Sequence, residues 1–324
     1  MFYNKVMVTG GAGFIGSHLV DRLLADGCAV LCVDDFNDYY DPDLKRENVK
    51  QHLQDEFYRL VEGDIRDKEL ISKLVKEWQP EAIVHLAARA GVRPSLSEPE
   101  LYQATNVAGT LNLFEAAKDN GVKKFVFGSS SSVYGLNNKV PFAETDPLLK
   151  PASPYAATKI AGEALAHTYA HLYNISVVVL RFFTVYGPRQ RPDLAIRKFA
   201  EKMLRGEEIT LFGDGSSARD YTYIGDIVNG IVAAINYDGS KYEAFNLGNS
   251  FPVKLIELVR NLEEVIGVKA KIIWAPDQPG DVPITFADIG KAAELLGYYP
   301  ETSINEGLAK FVQWLKNYNT EVNR

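Results

Sequence analysis

Short apolar runs alternate with amphipathic stretches through the first 180 residues of the chain. Four or five consecutive apolar residues, many of them β-branched or aromatic, predict a buried strand, and apolar residues recurring every three or four positions predict a helix. The predicted strands cover residues 5–9, 29–33, 57–61, 82–86, 124–127 and 176–180, and the predicted helices cover residues 14–25, 67–78, 101–119 and 155–172. Strands separated by helices imply right-handed crossovers, and therefore an α/β fold with a doubly wound parallel sheet.

The pattern changes after Gly187, where prolines and glycines separate shorter elements and the regular alternation stops. We expect residues 1–187 to form the domain that contains the sheet and residues 188–324 to form a smaller α/β region that binds the substrate. Apolar segments in the second part predict that the chain returns to the first domain around residues 225–250.

Composition narrows the possible functions. The chain has 324 residues, of which 46% are hydrophobic and 24% charged, and its net charge is −7. These values are typical of a soluble globular protein and argue against a nucleic-acid-binding surface. No apolar run approaches transmembrane length, so no membrane partner is expected. Cys28 and Cys32 flank one predicted strand and cannot reach each other, which favours reduced core thiols and a cytoplasmic location.

Three glycines spaced three residues apart follow the first predicted strand. Gly10 allows a tight turn, Gly13 lets the backbone approach a pyrophosphate, and Gly16 lets the helix pack closely on the strand. The helix that begins with Phe14 and Ile15 presents free N–H groups to the phosphates. With a strand before it and a helix after it, this turn predicts a Rossmann-type dinucleotide-binding domain.

The residue at the end of the second strand indicates which dinucleotide binds. Asp34 can accept hydrogen bonds from ribose hydroxyls and would repel a 2′-phosphate, and the residues that follow, 35–37, supply no cation. NAD is therefore favoured over NADP.

Residues that follow the third and fourth predicted strands extend the predicted cofactor site. Asp64 and Ile65 follow the third strand and are expected to meet adenine, whereas Ala87 and Ala88 follow the fourth and let the cofactor lie flat. His85, within that fourth strand, is interpreted as a core residue. No metal ion is expected to take part.

Two tyrosines have a lysine four residues later, and their context separates them. Tyr237 and Lys241 span a turn dipeptide, whereas Tyr155 and Lys159 open a helix, where four residues make nearly one turn and place both side chains on one face. Ser130 lies where the fifth strand ends, at the same edge of the sheet. These three residues are the predicted catalytic group.

Hydride transfer from a carbinol needs a base for the hydroxyl proton. The pKa of a free tyrosine is about 10, which is too high for efficient work at neutral pH. We expect the Lys159 ammonium and the charge of oxidised nicotinamide to lower the pKa of Tyr155, and Ser130 to hydrogen-bond the reacting oxygen. Tyr155 and Lys159 are also expected to contact the cofactor, with Lys159 binding its ribose.

Together these residues resemble the extended short-chain dehydrogenase/reductase superfamily, and within it the sequence is most similar to the UDP-glucuronate 4-epimerases. The similar segments are DDFNDYYDP at 34–42, HLAARAGVR at 85–93, RFFTVYGP at 181–188 and QPGDV at 278–282. Nucleotide-sugar dehydratases and decarboxylases of the superfamily have Glu where this chain has Ser132. The resemblance therefore implies NAD-dependent epimerisation at C4 through a 4-keto sugar.

Such an epimerase needs a firmly anchored UDP. Arg191 and Arg219 are the expected diphosphate partners because guanidinium forks match phosphate oxygens, although either could be a surface arginine. The strand at residues 209–212 is expected to contact uracil, and Asp281 to receive ribose hydroxyls or to order an arginine.

A uronate also needs control of its carboxylate, because its 4-keto form is a β-keto acid that readily loses CO₂. Ser131, Ser132 and Thr184 offer neutral donors that let the carboxylate move as the ring turns, and Arg93 is expected to help.

Several alternatives stay open at this point. A UDP-glucose or UDP-N-acetylglucosamine 4-epimerase would share the catalytic group, a net oxidoreductase would release NADH, and a non-catalytic NAD-dependent sensor could use the same scaffold. The small and apolar residues along 101–119 suggest a homodimer.

Overall fold

The computed structural model describes residues 3–276 and 283–322. Its strands are, in chain order, β1 Lys5–Thr9, β2 Ala29–Asp34, β3 Tyr58–Glu62, β4 Ala82–His85, β5 Lys124–Ser130, β6 Ser176–Phe182, β7 Thr184–Tyr186, β8 Glu208–Phe212, β9 Ala218–Tyr223, β10 Tyr242–Leu247, β11 Pro252–Lys254, β12 Lys271–Ala275 and β13 Ile284–Thr285. Its α-helices are α1 Phe14–Ala25, α2 Pro42–Val49, α3 Lys68–Trp78, α4 Val92–Ser97, α5 Pro99–Gln103, α6 Thr110–Asp119, α7 Pro154–Leu172, α8 Ala195–Leu204, α9 Ile224–Asn236, α10 Leu255–Ile266, α11 Gly290–Leu296 and α12 Ile304–Val322.

Seven parallel strands form the main sheet, in the order β10-β6-β5-β4-β1-β2-β3. The predicted doubly wound parallel sheet is confirmed, and its seventh strand comes from residues after 187. The chain runs outward from β1 to β3 and then in the other direction from β4 to β6. The carboxyl ends of β1 and β4 therefore flank the crevice where such sheets bind ligands.

Helices cover both faces of the sheet. Successive residues of a strand point to opposite sides, so each face presents apolar side chains that a helix can bury. Val6 and Val8 of β1 pack in one core with α1 and α9. Met7, between them, packs in a second core with α3, α6 and α7. This burial on both faces explains why the strands read as continuous apolar runs.

The helix expected over 101–119 is present but is not a single α-helix. Residues 104–109 form a π-helical segment between α5 and α6. Asn106, within this segment, bonds the backbone of Arg89: its Oδ1 accepts from the amide at 2.8 Å and its Nδ2 donates to the carbonyl at 3.0 Å. π-Helical turns often occur at functional sites, and Thr105 in this one faces the cavity described below.

Elements after β6 build a second hydrophobic core. β11, β9, β13 and β7 form one small sheet, and β12 and β8 form a parallel pair. Their apolar residues pack with α8, α10 and α12. Among the helices of the described ranges, none combines the length and apolar character needed to cross a bilayer.

Candidate active site

The glycine-rich turn after β1 shapes one end of a cavity. Gly10 has φ +70°, and a Cβ on it would lie 2.7 Å from the backbone nitrogen of Ala87. A Cβ on Gly16 would lie 2.1 Å from the carbonyl oxygen of Gly10. At Gly13 a Cβ would meet just that same oxygen, at 3.3 Å. The tight turn and close packing are thus required by the protein itself, while Gly13 leaves room for a diphosphate at the start of α1.

Asp34 ends β2 with its carboxylate buried beside this turn. Its Oδ2 accepts a hydrogen bond from Ala12 N at 3.2 Å, and its Oδ1 accepts one from Phe36 N at 3.0 Å. Burial raises the pKa of Asp34, whereas the charge of Lys45 and these N–H groups act in the opposite direction. The sequence indicated no nearby cation, but α2 brings the Lys45 ammonium to 3.4 Å from Asp34 Oδ1.

The first cavity has a volume of about 490 Å³ and runs along the carboxyl ends of the main sheet. Most of the predicted site residues line it, namely Gly10, Gly13, Phe14, Ile15, Gly16, Asp34, Ile65, Ala87, Ala88, Ser130, Ser131, Ser132, Tyr155, Lys159, Thr184 and Arg191. The glycine-rich turn and the Tyr–Lys pair, far apart in sequence, therefore share one space.

Asp64 does not line this cavity. Its carboxylate accepts a hydrogen bond from Arg66 Nε at 2.8 Å, and this partner lowers its pKa although burial opposes the shift. Its neighbours Gly63 and Ile65 line the wall instead.

Tyr155 and Lys159 lie in the first turns of α7. Ser153 caps the helix by accepting a hydrogen bond from Ala156 N at 3.1 Å. The Lys159 ammonium donates to the carbonyl oxygen of Gly128 at 2.7 Å. Burial lowers the pKa of Lys159 to about 8, against the opposing charge of Glu163.

The protein without its cofactor does not lower the pKa of Tyr155. Burial raises this pKa, while a hydrogen bond with Ser130 and the charge of Arg191 act against the rise. Lys159 directs its ammonium to Gly128, so burial dominates. The protein alone therefore keeps Tyr155 protonated.

Hydroxyl groups cluster beside Tyr155. Ser130 ends β5, and its Oγ accepts a hydrogen bond from Ser132 N at 3.2 Å. Ser131, Ser132 and Thr184 line the same cavity. His85, the last residue of β4, is buried, and its Nδ1 lies 2.7 Å from Thr9 Oγ1. Burial lowers the pKa of His85 to about 3, in agreement with a core role.

A buried ion pair, which no spacing in the sequence indicates, lies behind the catalytic helix. Glu163, one turn after Lys159, accepts hydrogen bonds from Arg181 Nη2 at 2.7 Å and Nε at 3.0 Å. It also accepts one from Ser129 Oγ at 2.6 Å. Arg181 in turn donates to the Tyr134 hydroxyl at 3.0 Å. The network ties β5, β6 and α7 together where Ser130, Tyr155 and Lys159 emerge.

Arg191 lines the first cavity and forms an ion pair with Asp193. Its Nε and Nη2 donate to the two carboxylate oxygens of Asp193 at 2.9 and 2.8 Å. Its guanidinium also lies 5.5 Å from the centre of the Tyr39 ring. A ligand anion would have to compete with Asp193 for this arginine.

A second cavity of about 1180 Å³ adjoins the first, since Thr184 and Leu194 line both. Arg219 lines it, as does Phe212 from the strand expected to meet uracil. Arg93, expected near the first cavity, lines this one, because α4 carries it to 5.6 Å from the centre of the Phe212 ring.

The predicted ligand Asp281 and the similar segment at 278–282 lie outside the described residues. Within the described ranges, no group of three or more His, Cys, Asp or Glu side chains could hold a metal ion.

Comparisons with known proteins agree with this geometry. The model of the NAD dependent epimerase/dehydratase family matches residues 6–248. The chain is 48% identical to UDP-glucuronate 4-epimerase 4 of Arabidopsis thaliana, over 97% of this chain and 75% of that protein. Its structure is similar to that of UDP-glucuronic acid 4-epimerase from Bacillus cereus in complex with UDP-glucuronic acid and NAD, with a TM-score of 0.91, 37% identity, and coverage of 97% of this chain and 99% of that one. It is also similar to UDP-glucose 4-epimerase from Thermotoga maritima with UDP-glucose, with a TM-score of 0.89, 37% identity and the same coverage.

Proposed function

The chain belongs to the NAD dependent epimerase/dehydratase family, and from this premise we propose that it is an NAD-dependent isomerase that converts UDP-glucuronate to UDP-galacturonate through a 4-keto intermediate. The observation that carries the proposal is the first cavity, which Tyr155 and Lys159 line together with the glycine-rich turn and with Ser131, Ser132 and Thr184. The similarity to proteins named for this reaction supports the same substrate.

NAD, when bound, supplies the chemistry of taking a hydride from C4 and giving it back. Its diphosphate would lie against the turn at Gly13, where a side chain would take up open space. Asp34 would accept hydrogen bonds from the adenosine ribose. Tyr155 and Lys159 line the same cavity.

Tyr155 would take the proton of the C4 hydroxyl and return it to the C4 oxygen of the keto sugar. A pKa raised by burial suits the second half of this cycle, because it makes the protonated phenol the resting form. The first half needs added positive charge near the phenol. Lys159 would provide part of that charge by turning from Gly128 toward the reacting end.

Ser131, Ser132 and Thr184 would hold the uronate carboxylate. In the keto form, CO₂ is lost when the bond from C5 to the carboxyl carbon aligns with the carbonyl π system. Hydroxyl donors can keep the carboxylate out of this alignment and still release it as the ring turns. A bidentate guanidinium would hold it more firmly and resist the rotation.

The nucleotide would occupy the second cavity. Arg93 and Arg219 line it and carry the positive charge that a diphosphate needs. Fixed UDP and a mobile sugar are the two conditions that let C4 present both faces to one hydride site.

The direct test incubates the protein with UDP-glucuronate and follows the sugar by proton NMR. We expect UDP-galacturonate to accumulate without net NADH, and a Tyr155→Phe variant to lose at least about a hundredfold in rate, as expected when a general base is removed. UDP-xylose as the product, or a Tyr155→Phe variant within a few-fold of wild type, would contradict the proposal.

A second candidate is a UDP-glucose 4-epimerase, favoured by the structural similarity to the enzyme from Thermotoga maritima. It would use the same catalytic group and differ in what contacts C6. Parallel NMR assays with UDP-glucose and UDP-glucuronate at equal concentration separate the two, because a glucose-specific enzyme would turn over the neutral sugar faster.

We further propose that the enzyme is a cytoplasmic homodimer. The buried thiols of Cys28 and Cys32 suit a reducing compartment. The helical run 99–119 leaves Ala108 and Leu111 exposed, the latter by 38%, which fits a helix-mediated contact between two copies. Sedimentation that detects just monomer at micromolar concentration would contradict the dimer.

A further inference from the structure

Lys45 is a buried lysine whose charge faces the cavity. It is 5% exposed, and its Nζ lies 3.4 Å from Asp34 Oδ1 and 3.8 Å from Asp35 Oδ1. The ring of Tyr40 lies below it, with its centre 5.3 Å away. All four residues line the first cavity. Lysine is almost never buried unless it is paired, so this position needs an explanation beyond surface charge.

The carboxylate of Asp34 is nearly saturated by the protein. It accepts hydrogen bonds from two backbone N–H groups and from Lys45. A carboxylate has about four acceptor positions, which leaves room for roughly one more donor, such as a ribose hydroxyl. To accept that donor well, Asp34 must stay ionised in a buried setting. Burial raises its pKa, and Lys45 is the largest opposing influence.

The same contact also hides the ammonium from a ligand. With Asp34 ionised, the charge of Lys45 is balanced at short range. A 2′-phosphate carries nearly two negative charges at neutral pH and would meet the Asp34 carboxylate directly. If the Asp34 charge were removed, the ammonium would face the cavity with Asp35 as its near carboxylate partner, at 3.8 Å.

We propose that Asp34 and Lys45 select the cofactor as a pair. Lys45 keeps Asp34 ionised as a ribose acceptor, and Asp34 covers a cation that would otherwise hold a 2′-phosphate. This inference rests on the proposed function in one respect, namely that the first cavity binds a nicotinamide dinucleotide. It assigns to Lys45, which lies eleven residues after Asp34, a role in choosing between NAD and NADP.

The test measures binding by calorimetric titration of nucleotide-free protein with NAD and with NADP. We expect Asp34→Asn to shift the ratio of the two dissociation constants toward NADP by about tenfold or more, the equivalent of one hydrogen bond to a charged group. The double variant Asp34→Asn, Lys45→Met should lose this gain. Lys45→Met alone should weaken the binding of NAD without strengthening that of NADP. Lys45→Arg, which keeps the positive charge, should bind NAD as the wild type does.

Lys50→Met is the matched control, because Lys50 lies just after α2 with its side chain 68% exposed and should change neither constant. Circular dichroism shows whether each variant folds. If Lys45→Met does not fold, Lys45→Arg still tests the role of the positive charge at this position. Equal NADP affinity in Asp34→Asn and in the double variant would overturn the proposal that Asp34 covers the Lys45 ammonium. Unchanged NAD binding in Lys45→Met would overturn the proposal that Lys45 keeps Asp34 ionised. If wild-type protein bound neither dinucleotide, the proposed function would fall as well.

Discussion

The buried pair of Glu163 and Arg181 gives a sharp test of how the catalytic helix is held. Both side chains are 5% exposed, and the carboxylate accepts two hydrogen bonds from the guanidinium and one from Ser129. In Glu163→Gln the amide keeps nearly the same shape, and its oxygen can still accept from Ser129. Arg181 is left charged and buried without its anion.

The size of the effect follows from this burial. Removing one partner of a buried ion pair costs about 3–5 kcal/mol, because the remaining charge is not compensated, whereas an exposed pair contributes about 0–1 kcal/mol. The hydrogen bond from Arg181 to the Tyr134 hydroxyl survives the change. We therefore expect a loss near the lower figure, about 3 kcal/mol in the free energy of unfolding.

Urea unfolding followed by circular dichroism measures this loss. Glu306→Gln is the matched control, because Glu306 pairs with Lys310 at 2.8 Å on α12 with both side chains about half exposed. We expect the control to lose less than about 1 kcal/mol. A Glu163→Gln variant as stable as the control would refute the reasoning that this pair holds the helix.

The same substitution also changes the charge near Lys159. The Glu163 carboxylate favours the ammonium and opposes the lowering of the Lys159 pKa to about 8 by burial. Without it, Lys159 should lose its proton at lower pH. The alkaline limb of the pH–rate profile should therefore move to lower pH, which a merely structural role for Glu163 would not produce.

Three further substitutions test other parts of the site. Thr184→Val should increase the UDP-pentose released from UDP-glucuronate, measured by proton NMR, and an unchanged product ratio would count against a carboxylate contact. Gly16→Ala should abolish NAD binding in calorimetry, because the new Cβ would lie 2.1 Å from the Gly10 carbonyl oxygen. Asp193→Asn should release Arg191 and lower both the KM and the kcat for UDP-glucuronate, and a raised KM would show that Asp193 instead orients the arginine for binding.

The first half of the fold could be predicted because burial on both faces leaves a clear mark on the sequence. Strands such as β1 are apolar throughout, and the turn at Gly10 admits few residues other than glycine at φ +70°. The helix at 101–119 was less predictable. Its π-helical segment contains Asn106, which bonds the backbone of Arg89, a tertiary contact that no periodicity reveals.

The candidate site was predictable in the same uneven way. Tyr155 and Lys159 are one helical turn apart, so their spacing indicates their contact. Lys45 and Glu163 have no such signal, because their partners Asp34 and Arg181 lie on other elements, β2 and β6. Arg93 follows β4 in sequence, but the direction of α4 places its side chain at the second cavity.

The distribution of charge between the two cavities suggests how one site could exchange hydride with both faces of a sugar. Arg93 and Arg219 lie at the second cavity, where firm bidentate contacts would fix a diphosphate. The first cavity is also lined by two arginines, Arg89 and Arg191, and Asp193 accepts hydrogen bonds from Nε and Nη2 of Arg191. On the proposed function, a uronate carboxylate there would meet hydroxyls such as that of Thr184. Arg191 would have to share its charge between this carboxylate and Asp193. If hydroxyl groups hold the sugar and arginines hold the diphosphate, the contacts of the sugar would be weaker than those of the nucleotide, and the ring could turn while UDP stays in place.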